Sequence, residues 1–184
     1  MLVGNIIELL LFSAPSLLYR ASRRRRGLNA QDAAAAVGLR AGRGSDYLLA
    51  VLVTAVVPGL GYAAFRSIPA GELNHRGVTI GVAHHLDAYL GVLVIALGEE
   101  MFFRGLIAGL LIRRLGFWRG NTLQALTFLA PHCLLLLAST AVWPILPVQF
   151  LGGWLFGWLC NRSSSIGPAW FAHAGGNLLA ALAV

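Results

Sequence analysis

The chain has 184 residues, of which 58% are hydrophobic and 11% charged, with a mean hydropathy of +0.74. That composition lies outside the usual soluble globular range and within the membrane class. All fourteen basic residues are arginine and the formal charge is +7, but most of the arginines sit between apolar runs. The charge therefore reads as membrane topology, and no nucleic-acid partner is expected.

A hydrocarbon core about 30 Å thick takes about 20 apolar residues of helix. Apolar run length then predicts about six transmembrane helices, at roughly 2–19, 46–65, 87–112, 121–141, 145–160 and 165–184. The opening stretch MLVGNIIELL has no basic residue before its apolar run; Arg20, Arg23, Arg24, Arg25 and Arg26 follow it instead. This reads as an anchor with its N-terminus outside, not as a cleaved signal. Arg40, Arg43, Arg113, Arg114, Arg119 and Arg162 fall on the same side if the spans alternate, which makes that side cytoplasmic. Only Arg66 and Arg76 fall opposite.

Between the first two spans, NAQDAAAAVGLRAGRGSDY predicts a short surface helix capped by Asn29, then a Gly/Arg linker. The chain divides into an anchor, Arg-rich loop and surface helix (1–45), a second span with an outer loop (46–85), and a core (86–184). No repeat and no separate soluble domain is evident, so the expected fold is an all-α polytopic bundle. Cys133 and Cys160 lie in apolar runs and read as buried small hydrophobes, without a disulfide or CxxC pattern.

The third span contains LGEEMFFRGL, which places Glu99, Glu100 and Arg104 deep in the bilayer. A charge at that depth costs on the order of 2.5–3.5 kcal/mol, so such groups face protein or water rather than lipid. Glu100 and Arg104 are i and i+4 with the acid first, the better orientation for an intrahelical ion pair. The i+3 and i+4 neighbours of Glu99 are Phe102 and Phe103, so it has no cation on its own helix. At similar depth, the fourth span offers His132 after Pro131, and the sixth offers His173 and Asn177 one turn apart. Pro131 frees a backbone carbonyl, either as an ordinary kink or as an opening toward a cavity.

A buried carboxylate with two imidazoles and an amide suits hydrolysis. The carboxylate serves as general base, an imidazole shares the proton or orients the water, and a second imidazole and an amide N–H donate to the oxyanion. The site is expected between the three core helices. His84, His85 and Asp87 read as polar tips at the edge of the third span. Gly105-xxx-Gly109 and Gly153-xxx-Gly157 fit close helix packing, and Trp143, Trp154, Trp158 and Trp170 fit interface belts or packing.

Glu99-Glu100-xxx-Arg104, Phe128-xxx-His132 and His173-xxx-Asn177, in that order on successive core helices, resemble the three motifs of the CPBP family of intramembrane proteases. This is the CAAX-protease and bacteriocin-processing, or Abi, family, and the likeness covers roughly residues 86 to 184. The resemblance implies an intramembrane endopeptidase in which Glu99 activates water with His132. It further implies that His173 and Asn177 stabilise the oxyanion, that Glu100 and Arg104 hold the site together, and that Phe128 packs. Compared with the eukaryotic prenyl-protein proteases of that family the chain is shorter, with almost nothing after the third motif.

The expected partners are the lipid bilayer and a membrane-anchored protein or peptide substrate, and the expected location is a bacterial cell membrane. A metal-free site is favoured, because an Asn one turn from His173 suits an oxyanion donor better than a ligand. Zinc held by Glu99, His132 and His173 is the alternative. Two other functions share these features: a non-catalytic immunity or scaffold protein of the same fold, and a proton-coupled transporter, which would be expected to carry internal repeats.

Overall fold

The computed structural model describes residues 2–69, 72 and 85–183. Among them every element is helical. The elements are α1 (Leu2–Arg25), α2 (Ala30–Ala35), α3 (Gly44–Arg66), α4 (Leu86–Glu99), a π-helical segment (Glu100–Ala108), α5 (Gly109–Leu115), α6 (Phe117–His132), two 3₁₀ segments (Cys133–Leu137 and Thr140–Val142), α7 (Ile145–Ser163) and α8 (Ile166–Ala183). Among the described residues two stretches are long and apolar enough to cross a membrane on their own, Gly44–Arg66 and Phe117–Leu137.

The expected third span is a continuous rod built in three parts rather than one α-helix. Its middle winds as a π-helix, a rare conformation found mostly at functional sites. Two contacts from elsewhere brace it: Ser16 of α1 donates to the Met101 carbonyl at 2.6 Å, and the Val37 carbonyl lies 2.7 Å from where a Cβ on Gly105 would stand. Gly105 is thus needed for the approach of the α2 connection, not for packing two spans together. The fourth span also departs from a plain α-helix. Pro131 lacks an N–H for the helical ladder, and beyond His132 the chain tightens into the 3₁₀ stretch. Cys133 opens that stretch and is exposed, against its expected burial, as are its neighbours Pro131 and Leu134; Cys160 is buried.

The Asn29 side chain accepts from the Asp32 N–H at 2.8 Å, so α2 is capped as its sequence predicts. The helix is more than a surface feature, since Ala33 is buried, as is Val37 in the turn after it. Gly38 then takes a left-handed φ of +69°, which turns its carbonyl to accept from Ile166 N at 2.9 Å. The Ser165 hydroxyl adds a bond to the Arg40 carbonyl. These ties bring the start of α8 to the linker before α3, and Arg162 on α7 meets Asp46 on α3 at 3.5 Å. The arginine-bearing ends of α1, α5 and α7 therefore gather at one end of the bundle with the start of α3, which follows Arg40 and Arg43.

The apolar core runs between α3, the π segment, α7 and α8, through Ala50, Val53, Met101, Phe156, Leu159, Cys160, Ile166, Ala169 and Ala172. Small residues let α6 and α7 approach closely: a Cβ on Gly153 would stand 3.0 Å from the Phe128 ring, and one on Gly157 would overlap the Asn121 side chain. The Gly153-xxx-Gly157 pair serves the close packing its spacing suggests.

Candidate active site

The π segment presents Glu100 and Arg104 to the interior, both with fully buried side chains, and the Arg104 Nη1 lies 2.8 Å from Glu100 Oε1. That approach is short but off the N–H direction, so it is an ion pair rather than an aligned hydrogen bond. Arg104 is held from other sides as well. Its guanidinium lies 4.2 Å from the centre of the Phe128 ring on α6 and 5.3 Å from that of Phe156 on α7, and its Nη2 approaches the Gly153 carbonyl at 3.4 Å. Desolvated cation–π contacts contribute about 2 kcal/mol or more. Breaking the buried pair would leave an uncompensated charge, at a cost of about 3–5 kcal/mol.

His173 of α8 sits between the two glutamates. Its Nδ1 donates to Glu100 Oε1 at 2.8 Å, and its Nε2 lies 3.5 Å from Glu99 Oε2. When both nitrogens carry protons the ring is an imidazolium, and Glu99, Glu100, Arg104 and His173 then sum to zero charge. Phe156 stacks on the His173 ring, with centroids 5.0 Å apart and planes 20° off parallel, and Phe128 meets it edge-on at 5.9 Å. The imidazole plane is thereby fixed by aromatic contact as well as by its carboxylates.

Glu99, the next residue back along the chain, is different. Its side chain keeps 20% of its surface accessible while that of Glu100 keeps none, and its single ionic neighbour among the described residues is His173. His132 stands at the end of α6, half-buried, with its ring 4.9 Å from that of Phe128. Its Nδ1 is 2.9 Å from the Phe128 carbonyl. A carbonyl only accepts, so Nδ1 carries the proton and Nε2 of the neutral ring is left as an acceptor.

The structure thus brings Glu99, Glu100, Arg104, Phe128, His132 and His173 into one neighbourhood, in contact through side chains. Asn177 is not drawn in: it is exposed and makes no hydrogen bond among the described residues, one turn beyond His173 where α3 packs its Thr54 and Pro58 against Gly175 and Gly176. Among the described residues no three His, Cys, Asp or Glu side chains stand as a metal-ligand set; the Nδ1 of His173 is given to Glu100, which leaves its Nε2 as the ring nitrogen facing Glu99. Of the residues at the outer edge, His85 precedes α4 and makes no side-chain cap, while His84 lies outside the described residues.

Three contributors were not expected at the site from the sequence. Phe156 is one apolar residue among many on α7, so a fourth helix joins the three expected to form the site. Ser16 reaches the π segment from 85 residues away, and the Cys160 thiol lies 4.0 Å from the Arg104 carbonyl. A small polar residue inside an anchor span is the one clue that could have drawn attention to Ser16.

Residues 81–179 match the family model described as Type II CAAX prenyl endopeptidase Rce1-like. No curated protein and no solved structure matches the chain.

Proposed function

Matched over more than half its length, the chain belongs to the type II CAAX prenyl endopeptidase Rce1-like family, and on that premise we propose that it is an intramembrane endopeptidase acting through a water molecule held at Glu99. The family is membrane-embedded, and a CAAX-type endopeptidase acts on a membrane-associated protein. In this reading the chain crosses the membrane six times, with its basic end cytoplasmic, its N-terminus outside, and residues 86–184 as its catalytic core.

The observation that carries the proposal is the inequality of the adjacent glutamates. Glu100 is closed in by Arg104 and His173, whereas Glu99 keeps an accessible edge beside the same imidazole. Glu99 takes a proton from water as its oxygen attacks the scissile carbonyl, with the acceptor Nε2 of His132 helping to orient that water. The developing oxyanion is met by the N–H of His173 Nε2. Asn177 joins as a second donor only if substrate draws it inward, since it stands free of the cluster. The proton on Glu99 then passes to the leaving amine, and the carboxylate is restored. Water, carboxylate and imidazole suffice for this sequence.

The test is a quantitative comparison of peptide termini in membranes from cells expressing the wild-type chain or Glu99→Gln. New termini confined to the wild type support the proposal and name the substrate. Identical termini in the native host, with both proteins folded and equally abundant, would overturn it in favour of a non-catalytic role.

A further inference from the structure

A stripe on α1 at heptad spacing, Asn5, Leu9, Phe12, Ser16 and Tyr19, faces the rod formed by α4, the π segment and α5. A Cβ on Gly91 would overlap the Asn5 amide, and one on Gly98 would stand 3.1 Å from Leu9. Phe12 meets Phe102 edge-on at 5.7 Å, Ser16 bonds Met101, and the Tyr19 hydroxyl lies 3.3 Å from Arg113 Nη2. From Asn5 to Tyr19 the partners run from Gly91 to Arg113, so the two segments lie side by side in the same direction. The next position of the stripe, one turn past Tyr19, is Arg23.

Arg20 and Arg23 therefore stand at the same end of the paired helices as Arg113, which meets Tyr19. Arg113 is anchored between the Tyr19 hydroxyl and the Ala36 carbonyl, the latter at 3.4 Å. The Nε atoms of Arg20 and Arg23 are both shielded from solvent and without a hydrogen-bond partner. Among the described residues no acid pairs with these three arginines. The Asp32 carboxylate takes the Asn29 amide at 2.8 Å, Asp46 meets Arg162, and Glu8 and Asp87 belong to the opposite half of the bundle. Like charges gathered at one end of two paired helices repel one another unless an anion lies among them, and the fork of donors on each guanidinium suits phosphate oxygens.

We propose that Arg20, Arg23 and Arg113 form a binding site for the headgroup phosphate of an anionic phospholipid. A lipid rather than a free phosphate is indicated by what adjoins the cations: Leu17 and Leu18 are exposed on the same turns of α1, with Leu10 and Leu11 exposed further along it. That apolar strip runs away from the arginines in the direction the acyl chains would take. Cations just beyond a span bind anionic lipid by this combination of charge and depth.

The full chain, purified in mild detergent and equilibrated with equal amounts of phosphatidylglycerol and phosphatidylcholine, is examined by native mass spectrometry. The wild type is expected to retain phosphatidylglycerol with a preference of roughly tenfold or more, given the usual contribution of each arginine near a membrane surface. Arg20→Gln/Arg23→Gln should abolish the preference; neither side chain makes a hydrogen bond among the described residues, so the variant should remain folded. Arg24→Gln/Arg25→Gln, whose side chains are exposed at the end of α1, should keep it. No preference in the wild type, or equal loss in both double variants, overturns the site in favour of absent or diffuse attraction. Displacement of the lipid by millimolar inorganic phosphate overturns the lipid assignment. The readout is independent of proteolysis, so it stands or falls apart from the catalytic reading.

Discussion

The two sides of the rod at its glutamate pair share one peptide bond and little else. On the side of Glu100, a carboxylate, a guanidinium, an imidazole and two aromatic rings exclude water and leave no charge without a counter-charge. On the side of Glu99, the carboxylate keeps an accessible edge and a 3.5 Å approach to the far nitrogen of the same imidazole. In the proposed mechanism one dipeptide divides two tasks. The locked acid makes the burial of Arg104 and the orientation of His173 affordable, and the open acid keeps the accessible edge that the proposed water needs and the locked one lacks. His173 is the joint between the two sides, because its nitrogens serve one each.

The comparison breaks most visibly at Glu99. Glu99→Gln keeps the shape and removes the basic oxygen, so cleavage should fall by about 10³-fold, within the usual range for a positioned general base. The folded yield and thermal unfolding of the variant should match the wild type. A variant that unfolds would make Glu99 a second structural acid and erase the distinction. Glu100→Ala reverses the pattern: stability should fall by about 3–5 kcal/mol, the cost of an orphaned buried Arg104, seen as a lower thermal midpoint or loss of folded protein. Stability retained in full would mean that Arg104 finds another counter-charge.

A finer test addresses the joint. Phe156→Leu removes the ring stacked on His173 while keeping an apolar side chain, and should cost about 1–1.5 kcal/mol of stability, in the range of moderate changes to core shape. Turnover should fall more than substrate binding, since imidazole orientation matters at the reacting bond and not to capture. Phe156→Tyr, which restores the ring, should recover turnover. A loss of binding without loss of turnover would place Phe156 in the substrate path instead.

Much of this was legible in the sequence for a simple reason: apolar run length and the arginines after each run are local signals, and helices follow them closely. The Asn29 cap and the Glu100–Arg104 spacing are local too. What was illegible depends on partners far along the chain. Asn177 is i+4 from His173, but spacing along one helix does not say that α3 covers the intervening Gly175 and Gly176 while Asn177 emerges beyond. Phe156 belongs to the site only because Gly153 and Gly157 let α7 come close to α6. The change from α to π winding in the middle of the rod has no propensity signal in EMFFRGLIA.

That winding supplies a further prediction. A π turn closes through i→i+5 bonds and carries one residue more than the α-helix it interrupts, so the orientation of Glu100 relative to α5 depends on keeping it. Ser16 is fully buried and its hydroxyl bonds the Met101 carbonyl within the segment. Ser16→Ala removes the donor and leaves a buried carbonyl with one partner fewer, so stability should fall by about 1–2 kcal/mol. If the bond also holds the register, turnover should fall with little change in substrate binding, because Glu100 and His173 would no longer meet squarely. Stability lost with turnover intact would show that Gly105 and the α2 connection hold the π turn without help, and that Ser16 serves only to dock α1.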